Sequence, residues 1–74
     1  MEIKEFIENF ADQFDETDAS VLTPATVFHE LEDYSSLVAL SIIAMIDEEY
    51  GVTLNGSDLS AAVTIQDLYN TVQA

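Results

Sequence analysis

Apolar residues recur at both ends of the chain with the spacing of an α-helix. The first stripe comprises Ile3, Phe6, Ile7, Phe10 and Phe14, and the second comprises Ile65, Leu68, Tyr69 and Val72. This spacing puts each stripe on one helical face, and no segment shows the period-two alternation of a strand. We therefore predict an all-α chain, with one helix over residues 2–14 and another capped by Thr64, with Asp67 near the capping-box position.

A third helix signal lies between the two stripes and has the clearest boundaries in the chain. It predicts a helix over Ser36–Tyr50, because Gly51 follows in the position typical of a helix C-terminus. Val52 is then placed to make the apolar contact that accompanies such an end.

Two connections separate these helices. Residues 15–34 are rich in Thr, Asp and Ser, so we predict a long first loop with a short turn inside it. The Thr23-Pro24 step is compatible with the start of one helical turn, since proline is well tolerated at a first helical position. A loop of this length is unusual in a compact domain unless it is functional or anchored. Its candidate anchors are Val21, Leu22, Val27, Phe28 and Leu31. The second connection, Asn55-Gly56, is a turn signal, and Ser57 is positioned to cap a short helix after it. The apolar residues of that short helix are Leu59, Ala62 and Val63.

The chain is short and strongly acidic. Its 74 residues include 15 acidic residues and one basic residue, Lys4, for a formal net charge of -14. Such a charge repels nucleic acid and anionic lipid and favours partners with basic patches. Since 49% of the residues are hydrophobic, we predict a folded chain: a single monomeric domain over residues 1–74, built as a four-helix bundle with three longer helices and one short helix.

The sequence also bears on the cellular compartment. It contains no cysteine, so it holds neither a disulfide nor a thiolate metal site. The first eight residues carry three glutamates and one lysine, unlike a signal peptide, and no apolar run reaches the roughly 18 residues that span a bilayer. These features predict a cytoplasmic protein without stable membrane insertion.

The predicted Ser36–Tyr50 helix is unusual in two respects: it lacks a polar face, and it has carboxylates in its last turn. Residues 37–46 are apolar on nearly every side, and a small bundle can bury all of them only if the other helices cover this one completely. Asp47, Glu48 and Glu49 then occupy the last turn, where the helix dipole disfavours negative charge by roughly 0.3–1 kcal/mol each. An exposed apolar surface beside carboxylates indicates a docking face for a basic, partly apolar partner.

Ser36 opens this helix directly after Ser35. A serine at a helix start is typically an N-cap for free backbone N–H groups. The same position suits a phosphodiester, because unpaired N–H groups and the positive end of the dipole favour an anion, although Asp33 just upstream opposes one. The residues themselves leave both interpretations open.

The order of residues from Phe28 to Val52 resembles a known pattern. Ser36-Leu37 is followed by an apolar helix that closes on the acidic triplet 47–49, Tyr50 and Gly51. This order is similar to the signature of the acyl carrier protein family. The likeness continues without gaps into the last helix, and the first helix fits in length and character, so nearly the whole chain is covered.

The resemblance implies a bundle of the acyl carrier protein type and a carrier function. Ser36 would accept 4'-phosphopantetheine from coenzyme A through a phosphopantetheinyl transferase, and the thiol of this arm would bear acyl groups as thioesters. The second helix would recognise that transferase and the acyl-transferring and chain-elongating enzymes, through their basic docking patches. The residues expected to contact partners are Leu37, Leu40, Ser41, Ala44, Asp47 and Glu48.

The sequence departs from the family pattern just before Ser36. The family usually has aspartate where Ser35 stands, and this change removes a charge that could help to hold the metal and partner arginines during arm transfer. Glu32 and Asp33 stand where the family commonly has glycine or another small residue. Among fatty-acid, polyketide and aryl-polyene biosynthesis, these changes favour one of the two specialised pathways.

Two functions other than the carrier are compatible with parts of the sequence. An unmodified carrier-like interaction module would share the fold and charge and bind a basic partner through the second helix, so only the chemistry of Ser36 separates it from a carrier. An enzyme is disfavoured, because His29 is the only histidine and the sequence shows neither a third triad member nor an oxyanion site. Neighbouring carboxylates on a helix point in different directions, so we predict no catalytic residue and no metal site.

Overall fold

Residues 2–73 are described in the computed structural model of the chain, and they form a helical bundle. The helices are α1 (Ile3–Ala11), α2 (Ser36–Tyr50), α3 (Gly56–Ala61) and α4 (Ile65–Gln73). Two 3₁₀ turns, Ala19–Val21 and Phe28–Glu30, lie in the long loop between α1 and α2. No strand occurs within residues 2–73, so the predicted all-α bundle of three longer helices and one short helix is confirmed. Met1 and Ala74, the ends of the predicted single domain, lie outside the described residues.

The core is built on α1, which packs against α2, α4 and the first 3₁₀ turn, while α2 packs against α3. Phe6 is fully buried, and its ring lies 5.4 Å from that of Tyr69 and 5.7 Å from that of Tyr50. Asn9 adds a polar link, since its Nδ2 donates to the Tyr50 hydroxyl at 2.8 Å. Full burial of one such aromatic side chain stabilises the fold by about 1.5–3 kcal/mol, so Phe6 is a main joint between three helices.

The first helix is shorter than predicted, because α1 ends at Ala11 and not near Phe14. Beyond its end the backbone bonds tighten to i−3 spacing: Gln13 N donates to Phe10 O at 3.1 Å and Phe14 N donates to Ala11 O at 3.0 Å. A longer helix would place the carboxylates of Asp12 and Asp15 at its C-terminal end, which the dipole disfavours. Phe14 is nevertheless buried, as the stripe predicts.

The long loop is anchored in the core. Leu22 and Phe28 are buried, as predicted, whereas Val21 is 66% exposed and is not an anchor. The predicted short turn is present at the Thr23-Pro24 step, where Thr26 N donates to Thr23 O at 3.0 Å, and this turn is not helical. The helical turns of this loop are the two 3₁₀ turns on either side of it.

The loop also supports α4 through its backbone. Ile65 N donates to Thr26 O at 3.1 Å, and Gln66 N donates to Pro24 O at 2.9 Å. The first turn of a helix has no internal acceptors for its N–H groups, so two loop carbonyls supply them here. The anchored loop is therefore part of the scaffold.

The starts of the last two helices are set by capping boxes. The predicted Thr64 cap is confirmed: Thr64 Oγ1 accepts from Asp67 N, and Asp67 Oδ2 accepts from Thr64 N, both at 3.1 Å. The predicted Ser57 cap is wrong, because Asn55 caps α3 and exchanges hydrogen bonds with Asp58. Asparagine is at least as good a cap as serine, and only this start gives it a reciprocal partner at the third helical position.

Candidate functional site

Helix α2 begins at a pair of serines that the structure distinguishes. Ser35 is the N-cap, with extended backbone, and its Oγ accepts a hydrogen bond from Val38 N at 3.2 Å. Its carbonyl accepts from Ala39 N at 2.8 Å. Ser36 is the first helical residue; it is exposed, and its hydroxyl makes no hydrogen bond to another described residue. The interpretation of Ser36 as the cap is therefore wrong, and its hydroxyl is free for chemistry.

The backbone around Ser36 fits an attached phosphodiester. Among the described residues, the N–H groups of Ser36 and Leu37 have no acceptor, because the Ser35 cap satisfies only those of Val38 and Ala39. Unpaired N–H groups at a helix start, together with the positive end of the dipole, favour an anion. Ser36 and Leu37 are the residues that would hold the phosphate of a 4'-phosphopantetheine arm.

Asp33, the carboxylate just upstream of the two serines, is engaged elsewhere. Its Oδ1 accepts from Thr17 Oγ1 at 2.6 Å, and its Oδ2 accepts from Thr17 N at 3.1 Å and Glu16 N at 3.2 Å. The hydrogen bond from the Thr17 hydroxyl is the main cause that lowers the pKa of Asp33 below its ordinary value of 3.8. The carboxylate thus fastens the segment before α2 to the acidic end of the long loop.

The outer face of α2 is apolar and exposed, as the sequence predicts. Leu37 is 74% exposed and Leu40 is 64% exposed, whereas Ile42 and Ile46 on the opposite side are fully buried. The other predicted docking residues are Ala44, Asp47 and Glu48, which are exposed, and Ser41, which is partly buried. A central helix covered on all sides is therefore excluded. The six predicted residues form one face of α2, called the α2 face below.

A groove of about 430 Å³ opens beside Ser36, between α2, α3 and the end of the long loop. Its lining residues are His29, Tyr34, Ser36, Ala39, Leu40, Ile43, Gly56, Leu59 and Ser60. The sequence gives no local signal for His29, Tyr34 or Ser60 as groove residues, since tertiary packing alone brings them to Ser36. A larger depression of about 570 Å³, lined by Glu8, Asp12 and Asp15 among others, shares no lining residue with this groove.

Residues 2–73 were also searched for metal sites and membrane-spanning helices. No group of three or more His, Cys, Asp or Glu side chains there is placed to hold a metal ion. None of the helices there combines the length and apolar character needed to cross a membrane.

Comparison with known proteins identifies the family. A family model described as a phosphopantetheine attachment site matches residues 4–72, which is nearly the whole chain. The search of curated proteins and the search of solved structures each gave no significant match. Domains of this family carry a covalently attached 4'-phosphopantetheine and its cargo without catalysing reactions on it, in agreement with the expectation that the chain is not an enzyme. With the helical bundle and the free serine at the start of α2, the match shows that this chain belongs to the phosphopantetheine-attachment family, the family of acyl carrier proteins.

Proposed function

We propose that the chain carries its phosphopantetheine arm on Ser36 and presents acyl thioesters to enzymes of fatty-acid, polyketide or aryl-polyene biosynthesis. The observation that supports this most directly is the division of labour at the start of α2, where Ser35 caps the helix and Ser36 is exposed and unbonded. In the transfer step, Ser36 Oγ would form a bond to the phosphorus next to the pantetheine while the pyrophosphate bond of coenzyme A breaks. Adenosine 3',5'-bisphosphate would leave, and the serine proton would pass to a base of the transferase.

The α2 face is proposed as the surface for the phosphopantetheinyl transferase and for enzymes that act on the cargo. It combines exposed leucines with carboxylates, and the formal charge of -14 favours partners with basic patches. The departure at Ser35 supports a specialised carrier, since the segment before the attachment serine ends in a neutral cap. Among the three proposed pathways, this departure favours polyketide and aryl-polyene assembly over fatty-acid synthesis.

The attachment residue is tested by weighing intact proteins. Wild type, Ser36→Ala and Ser35→Ala are incubated with coenzyme A and a broad-specificity phosphopantetheinyl transferase, with Ser57→Ala as a control at another exposed serine. We expect every protein except Ser36→Ala to gain the mass of the arm. A gain by Ser36→Ala that is lost in Ser35→Ala would move the site by one residue.

A second candidate function is the unmodified interaction module, and the observation that favours it is the neutral Ser35 directly before the attachment position. Such a module would bind a basic partner through the α2 face and would need no chemistry at Ser36. A wild-type protein that gains no arm with any transferase, and that has the unmodified mass when isolated from its host, would support this module and contradict the carrier.

A further inference from the structure

The groove beside Ser36 is lined by side chains of two chemical kinds. His29 and Tyr34 supply an aromatic wall, and their rings meet edge to face with centroids 5.1 Å apart and planes at 74°. Leu40, Ile43 and Leu59 supply aliphatic side chains to the same lining. A chain lying in this groove can therefore contact both rings and methyl groups.

The aromatic wall is held in place by its surroundings. Phe28 is fully buried behind it, with its ring centroid 4.2 Å from that of His29 and 5.7 Å from that of Tyr34. The His29 Nε2 bonds the carbonyl of Ala62, just beyond the end of α3, at 2.9 Å. Because a carbonyl only accepts, this Nε2 carries a proton, and the bond restrains the ring in the groove lining. A preorganised wall loses little freedom when a ligand binds.

The groove lining is open near Gly56 and Ala39. Ala39 and Gly56 contribute little side-chain bulk to the lining, and a Cβ placed on Gly56 would meet no atom within 4 Å. Aromatic side chains interact with other π systems through offset or edge-on contacts, beyond the burial of area alone. A saturated chain of the same length gains only the burial.

We propose that the His29–Tyr34 wall makes this carrier selective for planar, conjugated acyl groups over saturated ones. This inference rests on the proposed attachment at Ser36, because an arm anchored there starts at the groove and can fold back to bring its cargo into it. It names the class of substrate that the carrier shelters, which is an unsaturated or aromatic thioester whose double bonds are conjugated.

The test compares two cargoes of equal length on the proposed Ser36 arm. A transferase loads the apo-protein with the acylated arm from hexadienoyl-coenzyme A, which is conjugated, or from hexanoyl-coenzyme A, which is saturated, and intact mass verifies each loading. Hydroxylamine then cleaves the thioester. The protection factor is the cleavage rate of the acyl group on free pantetheine divided by its cleavage rate on the protein. This protection factor removes the difference in intrinsic reactivity between the two thioesters.

We expect the protection factor of the hexadienoyl group to exceed that of the hexanoyl group by about three- to tenfold. The double variant His29→Gln, Tyr34→Leu should bring the ratio close to one, since the glutamine amide can still donate to Ala62 O while both rings are gone. The matched control Tyr34→Phe keeps the ring and should keep the preference. In wild type, the vinyl protons of the loaded cargo should also show NMR contacts to the Tyr34 ring.

Two outcomes would overturn the selectivity alone: equal protection factors in a loaded wild-type protein, or a preference that survives removal of both rings. Failure of the wild type to gain any arm mass is a different result, which removes the carrier function and this inference together. The mass measurement and the cleavage measurement therefore separate the two failures.

Discussion

At the scale of single residues, the two adjacent serines before and at the start of α2 have different tasks. Ser35 closes the helix end through its hydrogen bond to Val38 N, whereas the Ser36 hydroxyl has no partner among the described residues. A residue that is free of structural work can be modified without loss of the fold. The two roles can therefore be separated by experiment.

The first prediction concerns the stability of the two alanine variants. Ser35→Ala should lower the free energy of unfolding by about 1 kcal/mol, because the N-cap hydrogen bond is lost. Ser36→Ala loses no hydrogen bond and should be close to wild type. Urea unfolding followed by circular dichroism measures both, and a larger loss for Ser36→Ala would show that the cap is assigned to the wrong serine.

The sequence places the proposed attachment position at the start of α2 only to within one residue. The resemblance places the attachment at Ser36, and the periodicity places the helix start at the same position, but helix ends are uncertain by one or two residues. A shift of one residue would exchange the roles of Ser35 and Ser36, so that the helix cap and the free hydroxyl would change places. The exchange is decided by the extended backbone of Ser35, which no local pattern encodes.

At the scale of secondary-structure elements, α2 has one face buried in the core and one face exposed to solvent. Ile42 and Ile46 pack in the core, and the α2 face carries exposed leucines and ends in carboxylates. Exposed charge at the edge of an interface acts mainly on the rate of association and on its dependence on salt. The carboxylates of the last turn are therefore expected to steer partners more than to hold them.

The second prediction tests this steering with matched charge reversals. Glu48→Lys should slow arm transfer by a phosphopantetheinyl transferase several-fold at low salt, and the difference from wild type should shrink as salt rises. Glu5→Lys makes the same change at an exposed position on α1 and should have a smaller effect. Equal transfer rates for Glu48→Lys and wild type at low salt would remove Glu48 from the docking surface.

The elements differ in how well the sequence predicts them. The bounds of α2 are correct because its signals are local: Gly51 adopts the left-handed conformation with φ of 67°, and its N–H donates to Asp47 O. The Thr64–Asp67 capping box is local as well. The course of the long loop depends on Asp33 and His29, whose partners are distant in sequence, so periodicity cannot reveal it.

At the scale of the whole molecule, two electrostatic effects act in opposite directions as the pH falls. The formal net charge is -14 over 74 residues, and the carboxylates repel one another in the compact state. Protonating some of them should therefore stabilise the fold. Asp33 and Asp67 oppose this, because hydrogen bonds lower the pKa of each carboxyl group below 3.8; for Asp67 the largest cause is the bond from Thr64 N. A lowered folded-state pKa stabilises the fold above the ordinary value, and this stabilisation is lost as the pH falls through the lowered value.

The third prediction follows from these signs. The melting temperature should rise as the pH falls from neutrality toward the isoelectric point of about 4.1, and then fall below pH 3.8 as Asp33 and Asp67 become protonated. Moderate salt should raise the melting temperature at neutral pH and flatten the rising part of the curve by screening. Asp33→Asn should weaken the acid decline.

Thermal unfolding across pH, at low and moderate salt, checks this prediction. A melting temperature that falls steadily from neutral pH, or that does not respond to salt, would show that self-repulsion does not limit stability. An acid decline that is identical in wild type and Asp33→Asn would show that Asp33 does not contribute to it.

The carbonyls of Pro24 and Thr26 that receive the first N–H groups of α4 have a consequence for how this chain can vary. Surface connections usually tolerate deletion and insertion, because few hydrogen bonds depend on them. Here a shortened connection would withdraw two acceptors from the last helix and two core side chains, Leu22 and Phe28, at once. The long loop and α4 should therefore open together in amide exchange, as one cooperative unit.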